Sequence, residues 1–262
     1  MKLKRIKSLW GMEGSLSEQF KAVSDAGYSG IESPLPAHGR QSEFKELLQE
    51  HQLDYVAQIF AEDTSSFEKQ VADAAEFQPL LINSQSAKDD MRYEDQLIFF
   101  TKAVQIEEQA QILIGHETHR GRAMFTPWST AHLLEDIKDL SITADFSHWV
   151  CVCESMLQDQ ADRLDLAIQR TVHVHTRVGF SQGPQVPDPR APEYKEELDI
   201  HAEWWRKIAE AHRKKGAGYL SFTPEYGPPG YMHTEPYTQR PLADLWDVCL
   251  WMGNFVEERL RV

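Results

Sequence analysis

Short apolar runs alternate with amphipathic segments along the whole chain. The apolar runs have the length and composition of buried strands, and the segments between them have apolar residues at helical spacing. The runs predict strands at residues 6–10, 28–32, 54–60, 80–83, 112–117, 142–146, 172–176 and 219–223. The amphipathic segments predict helices at residues 15–26, 42–51, 65–77, 93–110, 130–140, 156–170, 196–215 and 241–260, the first and third with capping boxes at Ser15/Glu18 and Ser65/Glu68.

Eight successive strand–helix units predict an α/β protein with a parallel sheet covered by helices. The count of eight, in a chain of 262 residues, favours closure into a (β/α)8 TIM barrel over an open, doubly wound sheet. The segment SLWGMEG after the first strand does not match the glycine pattern of dinucleotide-binding folds. We therefore expect a single barrel domain over residues 1–262.

The seventh unit contains an extended loop at about residues 179–195, with the sequence GFSQGPQVPDPRAPEY. A long loop rich in proline and glycine is either a functional lid or a plain insertion.

Composition limits the partners of the protein. The formal net charge is -14 and the sequence pI is about 5.2, so a polyanion such as a nucleic acid is not expected to bind. The chain contains no run of ~18 apolar residues, so no membrane span is predicted. The N-terminal segment has no long apolar stretch of the secretory type, and we therefore expect a cytoplasmic protein.

Titratable side chains stand at the ends of the last four predicted strands. Glu117 ends strand five, Asp145 ends strand six, His175 lies in VHVHTRVG of strand seven, and Glu225 follows strand eight. The alternation of side chains along a strand places all four toward the barrel axis. Three carboxylates and an imidazole this close require a cation, and three oxygens with one nitrogen suit Mn²⁺, Mg²⁺ or Co²⁺, with Zn²⁺ or Fe²⁺ also possible. The sequence predicts one divalent ion held by these four residues.

Other side chains near the strand ends have two interpretations each. Glu32 either binds a substrate hydroxyl or lies at the surface, and Trp10 either lines the pocket or packs in the core. Arg177 either meets an anionic group of the substrate or forms a salt bridge at the barrel rim. His173 is expected to be structural, and His116 faces the helices by its parity.

The order E, DxxH, HxH, E at the ends of strands five to eight resembles the xylose isomerase-like barrel superfamily, the sugar phosphate isomerase/epimerase group. The resemblance implies that His148, three residues after Asp145, contacts the substrate. It also implies that Glu117 and Glu225 lie on opposite faces of a sugar-like hydroxy-carbonyl substrate and exchange a proton with it through a metal-stabilised enediolate. The implied function is a metal-dependent isomerase or epimerase of carbohydrate metabolism, acting on a carbohydrate or polyol.

Two further functions stay open. A dehydratase or lyase acting on a keto-polyol would use the same scaffold and the same early chemistry, and a barrel that binds a sugar or a partner without turnover would retain the metal alone. A homo-oligomer is also possible, because the aromatic segments EWWRKI and DLWDVCLWM suit either a dimer face or core packing.

Overall fold

The computed structural model describes residues 1–261 and contains a closed barrel of eight parallel strands. Each strand pairs with its neighbours in chain order, and the last strand pairs with the first. The predicted (β/α)8 TIM barrel is confirmed, and every predicted strand is present, the eighth with the predicted bounds and the others with one or both ends shifted. The strands are β1 (Lys2–Ser8), β2 (Gly30–Pro34), β3 (Asp54–Ala61), β4 (Leu81–Ser86), β5 (Ile114–Glu117), β6 (Ile142–Ala144), β7 (Thr171–His175) and β8 (Tyr219–Thr223).

Nine α-helices lie in the described residues, one more than the sequence pattern predicts. The additional helix follows β6 directly, with Asp145 as its N-cap residue. The helices are α1 (Leu16–Asp25), α2 (Gln41–Glu50), α3 (Thr64–Ala75), α4 (Tyr93–Ala110), α5 (Pro127–Asp136), α6 (Phe146–Val152), α7 (Ala161–Arg170), α8 (Lys195–Lys214) and α9 (Leu245–Leu260). Within residues 1–261, no helix has the length and apolar character needed to cross a membrane.

The predicted helix starts are partly correct. The α1 capping box is present: Ser15 Oγ accepts the Glu18 backbone N–H, and the Glu18 carboxylate accepts the Ser15 N–H at 2.8 Å. The predicted cap at Ser65 is wrong, because Asp63 caps α3 by accepting the Ser66 N–H at 2.8 Å. Because α3 begins at Thr64, directly after Asp63, Ser65 lies inside its first turn and not at the cap position.

The main core lies between the barrel and its helices, as parity predicted. His116 of β5 points into this layer, stacked on Phe67 at 5.6 Å between ring centroids and edge-on to Phe100 at 5.0 Å. Trp204 and Trp205 of the EWWRKI segment are also buried there. Core packing therefore accounts for these two aromatic residues without a partner subunit.

The inside of the barrel changes from apolar to polar along its axis. Ile6, Val56 and Leu81 form a buried apolar layer. The layer above it consists of hydrogen-bonded polar side chains, and the strand ends above that layer carry the titratable groups. This gradient keeps the charged groups at the end of the barrel where the loops can form a pocket.

Two long loops meet over this end of the barrel. The predicted loop after β7 ends in a short 3-10 turn, Pro192–Tyr194, before α8. It packs against the loop after β8, because the Gln185 side chain donates to Gly227 O at 3.2 Å and accepts the Gly227 N–H at 2.7 Å. Gln185 is buried, so the loop after β7 forms part of the packed structure near the site.

Candidate metal centre

The four predicted ligands converge at the ends of β5 to β8. One oxygen or nitrogen from each of Glu117, Asp145, His175 and Glu225 lies within 4.8 Å of the other three. His175 Nδ1 is 3.2 Å from Glu225 Oε2 and 3.7 Å from both Glu117 Oε1 and Asp145 Oδ2. All four side chains are buried. The structure therefore brings together the four residues that the sequence predicted, while their role as metal ligands stays a prediction.

Local structure holds these side chains in place. Asp145 caps α6, where its Oδ1 accepts the Ser147 N–H at 3.2 Å and the Ser147 hydroxyl at 2.5 Å. Its own backbone N–H donates to Thr118 Oγ1 at 2.8 Å. Gly115 lets β5 approach β6 closely, because a Cβ at that position would lie 2.4 Å from Thr143 Oγ1. The strand ends are thus fixed by backbone and side-chain contacts beneath the cluster.

Two buried atoms of the cluster have no hydrogen-bond partner among the described residues: His175 Nδ1 and Glu117 Oε1. Buried polar atoms normally have a partner, because leaving one unpaired costs about 1–3 kcal/mol. Both atoms face the space between the three carboxylates. A divalent cation in this space would satisfy both atoms, so the residues present fit a metal ion.

Glu32 orients the histidine for this role. His175 Nε2 donates to Glu32 Oε1 at 3.0 Å, which leaves the lone pair of Nδ1 directed at the carboxylates. A carboxylate behind a histidine is the usual arrangement around a metal-binding imidazole. Glu32 also accepts hydrogen bonds from Thr223 Oγ1 at 2.6 Å and from Asn83 Nδ2 at 2.9 Å. Both of its oxygens are engaged below the cluster, so the structure does not place Glu32 where the predicted contact with substrate would be made.

Burial and mutual repulsion make the cluster unfavourable without a cation. Burial, followed by the charges of Glu225 and Asp145, raises the pKa of Glu117 to about 8. Burial disfavours the charged form of His175, but the nearby Glu225, Glu32 and Glu117 carboxylates hold its pKa well above its usual range. The site therefore retains protons where an acidic cluster in water would have none, and a divalent ion would replace them.

Arg177 is the counter-ion of the site. It is buried, and its guanidinium contacts Asp145 Oδ2 at 2.5 Å and Glu225 Oε2 at 3.2 Å. It also donates to Ser147 Oγ at 3.1 Å and to His148 Nε2 at 2.7 Å. Of the two interpretations from the sequence, the geometry supports the salt bridge, although part of the Arg177 side chain lines the pocket.

His148 and Trp10, the other two residues predicted to contact substrate, lie in different surroundings. His148 is completely buried, and it accepts from Arg177 while its ring lies 4.0 Å from the ring of His119. These contacts place it behind the pocket wall. Trp10 lines the pocket with 37% of its surface exposed, and its ring is edge-on to Tyr231 at 4.9 Å. The interpretation of Trp10 as a pocket residue agrees with this position.

A pocket of about 360 Å³ lies above the cluster. The alternation along β3 and β4 carries Gln58 and Gln85 into its wall. A larger groove of about 500 Å³ lies at the other end of the barrel and is lined by residues around the start of β3, away from the cluster. The residues lining the pocket above the cluster are Leu9, Trp10, Pro34, Gln58, Phe60, Gln85, His119, Arg177, Glu225 and Tyr231.

Asn83 and Tyr231 also belong to the site, and neither was predicted from the sequence. Asn83 Nδ2 bridges Glu32 Oε1 at 2.9 Å and Glu117 Oε2 at 3.0 Å. It stands at the end of the predicted fourth strand, so the parity that selected the ligands would have found it. Tyr231 lies in the loop after β8, and no sequence periodicity predicts where a loop residue packs.

Comparison with solved structures identifies proteins that share this fold. The probable 3-DHS dehydratase AsbF of Bacillus anthracis superposes with a TM-score of 0.61 at 15% identity, over 98% of both chains. A sugar phosphate isomerase/epimerase of Parabacteroides distasonis superposes with a TM-score of 0.61 at 11% identity, over 99% of this chain and 94% of that one. The chain has the fold of a xylose isomerase-like TIM barrel. A third xylose isomerase-like barrel, from Mycobacterium smegmatis in complex with magnesium, has a TM-score of 0.59 at 13% identity, over 93% of this chain and 87% of that one.

No protein-family model matches the sequence, and no match was found among curated proteins. At these identities the likeness to solved xylose isomerase-like barrels concerns the fold.

Proposed function

We propose that the protein is a divalent-metal-dependent enzyme that transfers a proton next to a carbonyl group, as an isomerase or epimerase of a carbohydrate or polyol. One observation carries the proposal: three carboxylates and one imidazole converge within 4.8 Å in a buried site, with two polar atoms left unpaired. Mn²⁺, Mg²⁺ and Co²⁺ suit this ligand set best, and Zn²⁺ or Fe²⁺ would also fit. One structural neighbour is described as a complex with magnesium.

Each residue has a distinct task in this proposal. Asp145 and His175, oriented by α6 and by Glu32 respectively, would hold the ion together with Glu117 and Glu225. When bound, the ion would supply Lewis-acid polarisation of a substrate oxygen. One of Glu117 and Glu225 takes a proton from the substrate carbon and the other returns one. Trp10 forms part of the wall that keeps water from the exchanging proton.

A dehydratase on the same scaffold is the second candidate. The neighbour from Bacillus anthracis is described as a probable dehydratase. Dehydration of a hydroxy-carbonyl compound begins with the same proton removal and then expels hydroxide. Product analysis separates the two reactions, because isomerisation conserves the mass of the substrate and dehydration lowers it by one water.

The test begins with metal content, measured by mass spectrometry on protein purified without a metal column. We expect about one divalent ion per chain, lost in Asp145→Asn and in Glu225→Gln. Glu107→Gln is the matched control, because Glu107 lies on α4, outside the barrel. Proton exchange into candidate ketoses, polyols and oxo-acids from D₂O then tests catalysis. Protein that takes up no metal after incubation with Mn²⁺ or Co²⁺ would refute the proposed mechanism.

Metal retained without exchange or dehydration of any substrate would instead favour a barrel that binds its ligand without turnover. A cytoplasmic location is part of the proposal, and fractionation of the source cells tests it.

A further inference from the structure

A second arginine, Arg120, lies beside the mouth of the pocket, where it contacts Tyr231 but no carboxylate. The guanidinium carbon of Arg120 is 5.0 Å from the centre of the Tyr231 ring, and that of Arg177 is at the same distance from the same ring. Arg177 is held by Asp145 and Glu225. Within residues 1–261, no carboxylate lies within 4.0 Å of Arg120, which has no ion pair. The mouth of the pocket therefore carries an uncompensated positive charge.

The position of Arg120 is built into the backbone. It lies in a tight turn directly after β5, in which the Arg122 N–H donates to His119 O at 3.2 Å. His119 Nδ1 lies 2.5 Å from Arg120 O and donates to it. The same His119 side chain lines the pocket. The turn thus links the strand that carries Glu117 to the arginine at the mouth.

Arg120 is a cation at the outer end of the site, while the carboxylates lie at its inner end. Glu117, Asp145 and Glu225 contribute three negative charges, which a divalent ion and Arg177 balance. Glu32 lies deeper, behind His175, where it is hydrogen-bonded to that histidine, to Asn83 and to Thr223, so its charge is held below the cluster and away from the mouth. The outer part of the pocket consequently attracts one negative charge, and this charge has to come from the ligand.

The walls define the rest of the ligand. Trp10, Phe60 and Tyr231 contribute aromatic surface, and Leu9 and Pro34 contribute aliphatic surface. Trp10 and Phe60 are exposed by 37% and 41% of their surface, which is more than a packed core position allows. Aromatic walls of this kind pack against the apolar face of a ring, and amide side chains bond its hydroxyl groups. Gln58 and Gln85 supply those amides.

We propose that the substrate of this centre is a cyclic hydroxy- or oxo-carboxylate whose carboxylate is bound by Arg120. The inference rests on the proposed function and narrows it. The planar guanidinium presents paired N–H donors that match the two oxygens of a carboxylate. With that group at Arg120 and the ring against Trp10 and Phe60, the hydroxyl or carbonyl end faces Glu225, which lines the same pocket. A single uncompensated cation matches a carboxylate better than a phosphate dianion.

Binding is tested by calorimetry on the Mn²⁺-loaded protein with two probes, quinate and myo-inositol, which are a ring carboxylate and a neutral ring polyol. We expect quinate to bind, and myo-inositol to bind at least about tenfold more weakly. A roughly tenfold difference in Kd is what the loss of one hydrogen bond between charged groups is expected to cause. Arg120→Gln should weaken quinate binding by the same factor and leave myo-inositol unchanged. Arg122→Gln removes an equal charge two residues away and should have no effect. Arg120→Lys should recover only part of the affinity.

Three results would overturn the proposal: no quinate binding to the wild-type protein, equal binding of both probes, or quinate binding unchanged in a folded Arg120→Gln variant. Tighter binding of myo-inositol monophosphate than of quinate would refute the choice of carboxylate. The comparison of the two probes on the wild-type protein needs no variant to fold. If Mn²⁺ fails to bind, the proposed function fails, and the same titrations on the protein as purified still decide whether Arg120 selects a carboxylate.

Discussion

Replacing Glu32 by glutamine isolates the contribution of one charge to the metal centre. Glu32 Oε1 accepts from His175 Nε2 at 3.0 Å and from Asn83 Nδ2 at 2.9 Å, while Oε2 accepts from Thr223 Oγ1 at 2.6 Å. Glutamine has the same shape and keeps one carbonyl oxygen. That oxygen will face His175 and Asn83, because both are donors, and the amide NH₂ will face Thr223, whose hydroxyl can accept. The bonds to His175, Asn83 and Thr223 are kept, and His173 Nε2, 3.4 Å from Oε2, accepts from the amide when its proton is on Nδ1, so the main loss is the charge.

The expected effect follows from that single change. A hydrogen bond to a charged acceptor is worth about 1–2 kcal/mol more than one to a neutral acceptor, so His175 becomes a weaker ligand and the metal Kd should rise about tenfold. Loss of an outer partner of a ligating histidine typically weakens metal binding by about 10–100-fold. The assay is Mn²⁺ binding, followed by the electron paramagnetic resonance of free Mn²⁺.

The control is Glu107→Gln, which makes the same chemical change in α4. Glu107→Gln should bind Mn²⁺ as the wild-type protein does. A folded Glu32→Gln variant with an Mn²⁺ affinity within about twofold of the wild type would refute the reasoning that Glu32 orients and polarises His175.

Three other changes test other parts of the structure. Burial raises the pKa of Glu107 to about 7, so folding favours its protonated form and stability falls as pH rises from about 4.5 to about 7. Glu107→Gln should remove this pH dependence and raise the free energy of unfolding by roughly 1–2 kcal/mol at about pH 8, as measured by urea unfolding. This figure allows for solvent screening at a half-buried site. Lys7 is buried, and its ammonium group donates to one backbone carbonyl. Because burying this charge is costly, Lys7→Met should stabilise the protein by about 1 kcal/mol or more. A lower midpoint of urea unfolding would contradict this. A Cβ on Gly227 would lie 2.2 Å from the Trp10 indole, so Gly227→Ala should displace Trp10 and weaken quinate binding while the metal content stays unchanged.

The arrangement of Arg177 has a consequence for metal binding. Its guanidinium contacts two of the candidate ligands, Asp145 and Glu225, on the side of the pocket. A fixed positive charge at this position would lower the affinity of the site for a metal ion, but it also keeps two carboxylates oriented in a buried environment. Arg177 thereby offsets part of the repulsion between the acidic groups.

The candidate ligands were predictable because two regular features determine their positions. Strand alternation sets the facing of Glu117 and His175, and the parallel βα order brings to the same side Asp145 and Glu225, which lie just beyond the ends of β6 and β8. Asn83 obeys the same alternation and was overlooked because an amide is not a typical ligand for the predicted ion. Glu32 was predicted at the correct strand end, but its contact with His175 depends on which strand faces it across the barrel, and no local pattern encodes that.

The amino-acid sequence by itself determined the eight βα units, the closed barrel they imply and the four residues that point to its axis. These properties depend on hydrophobic periodicity and on the fixed geometry of strands, which act over a few residues. Only the tertiary structure decided that Arg177 is an internal counter-ion, that Glu32 lies below the cluster, and that Arg120 and Tyr231 form the mouth of the pocket. Those contacts join residues far apart in the chain, and they depend on the barrel diameter and on loop packing, which residue periodicity does not specify.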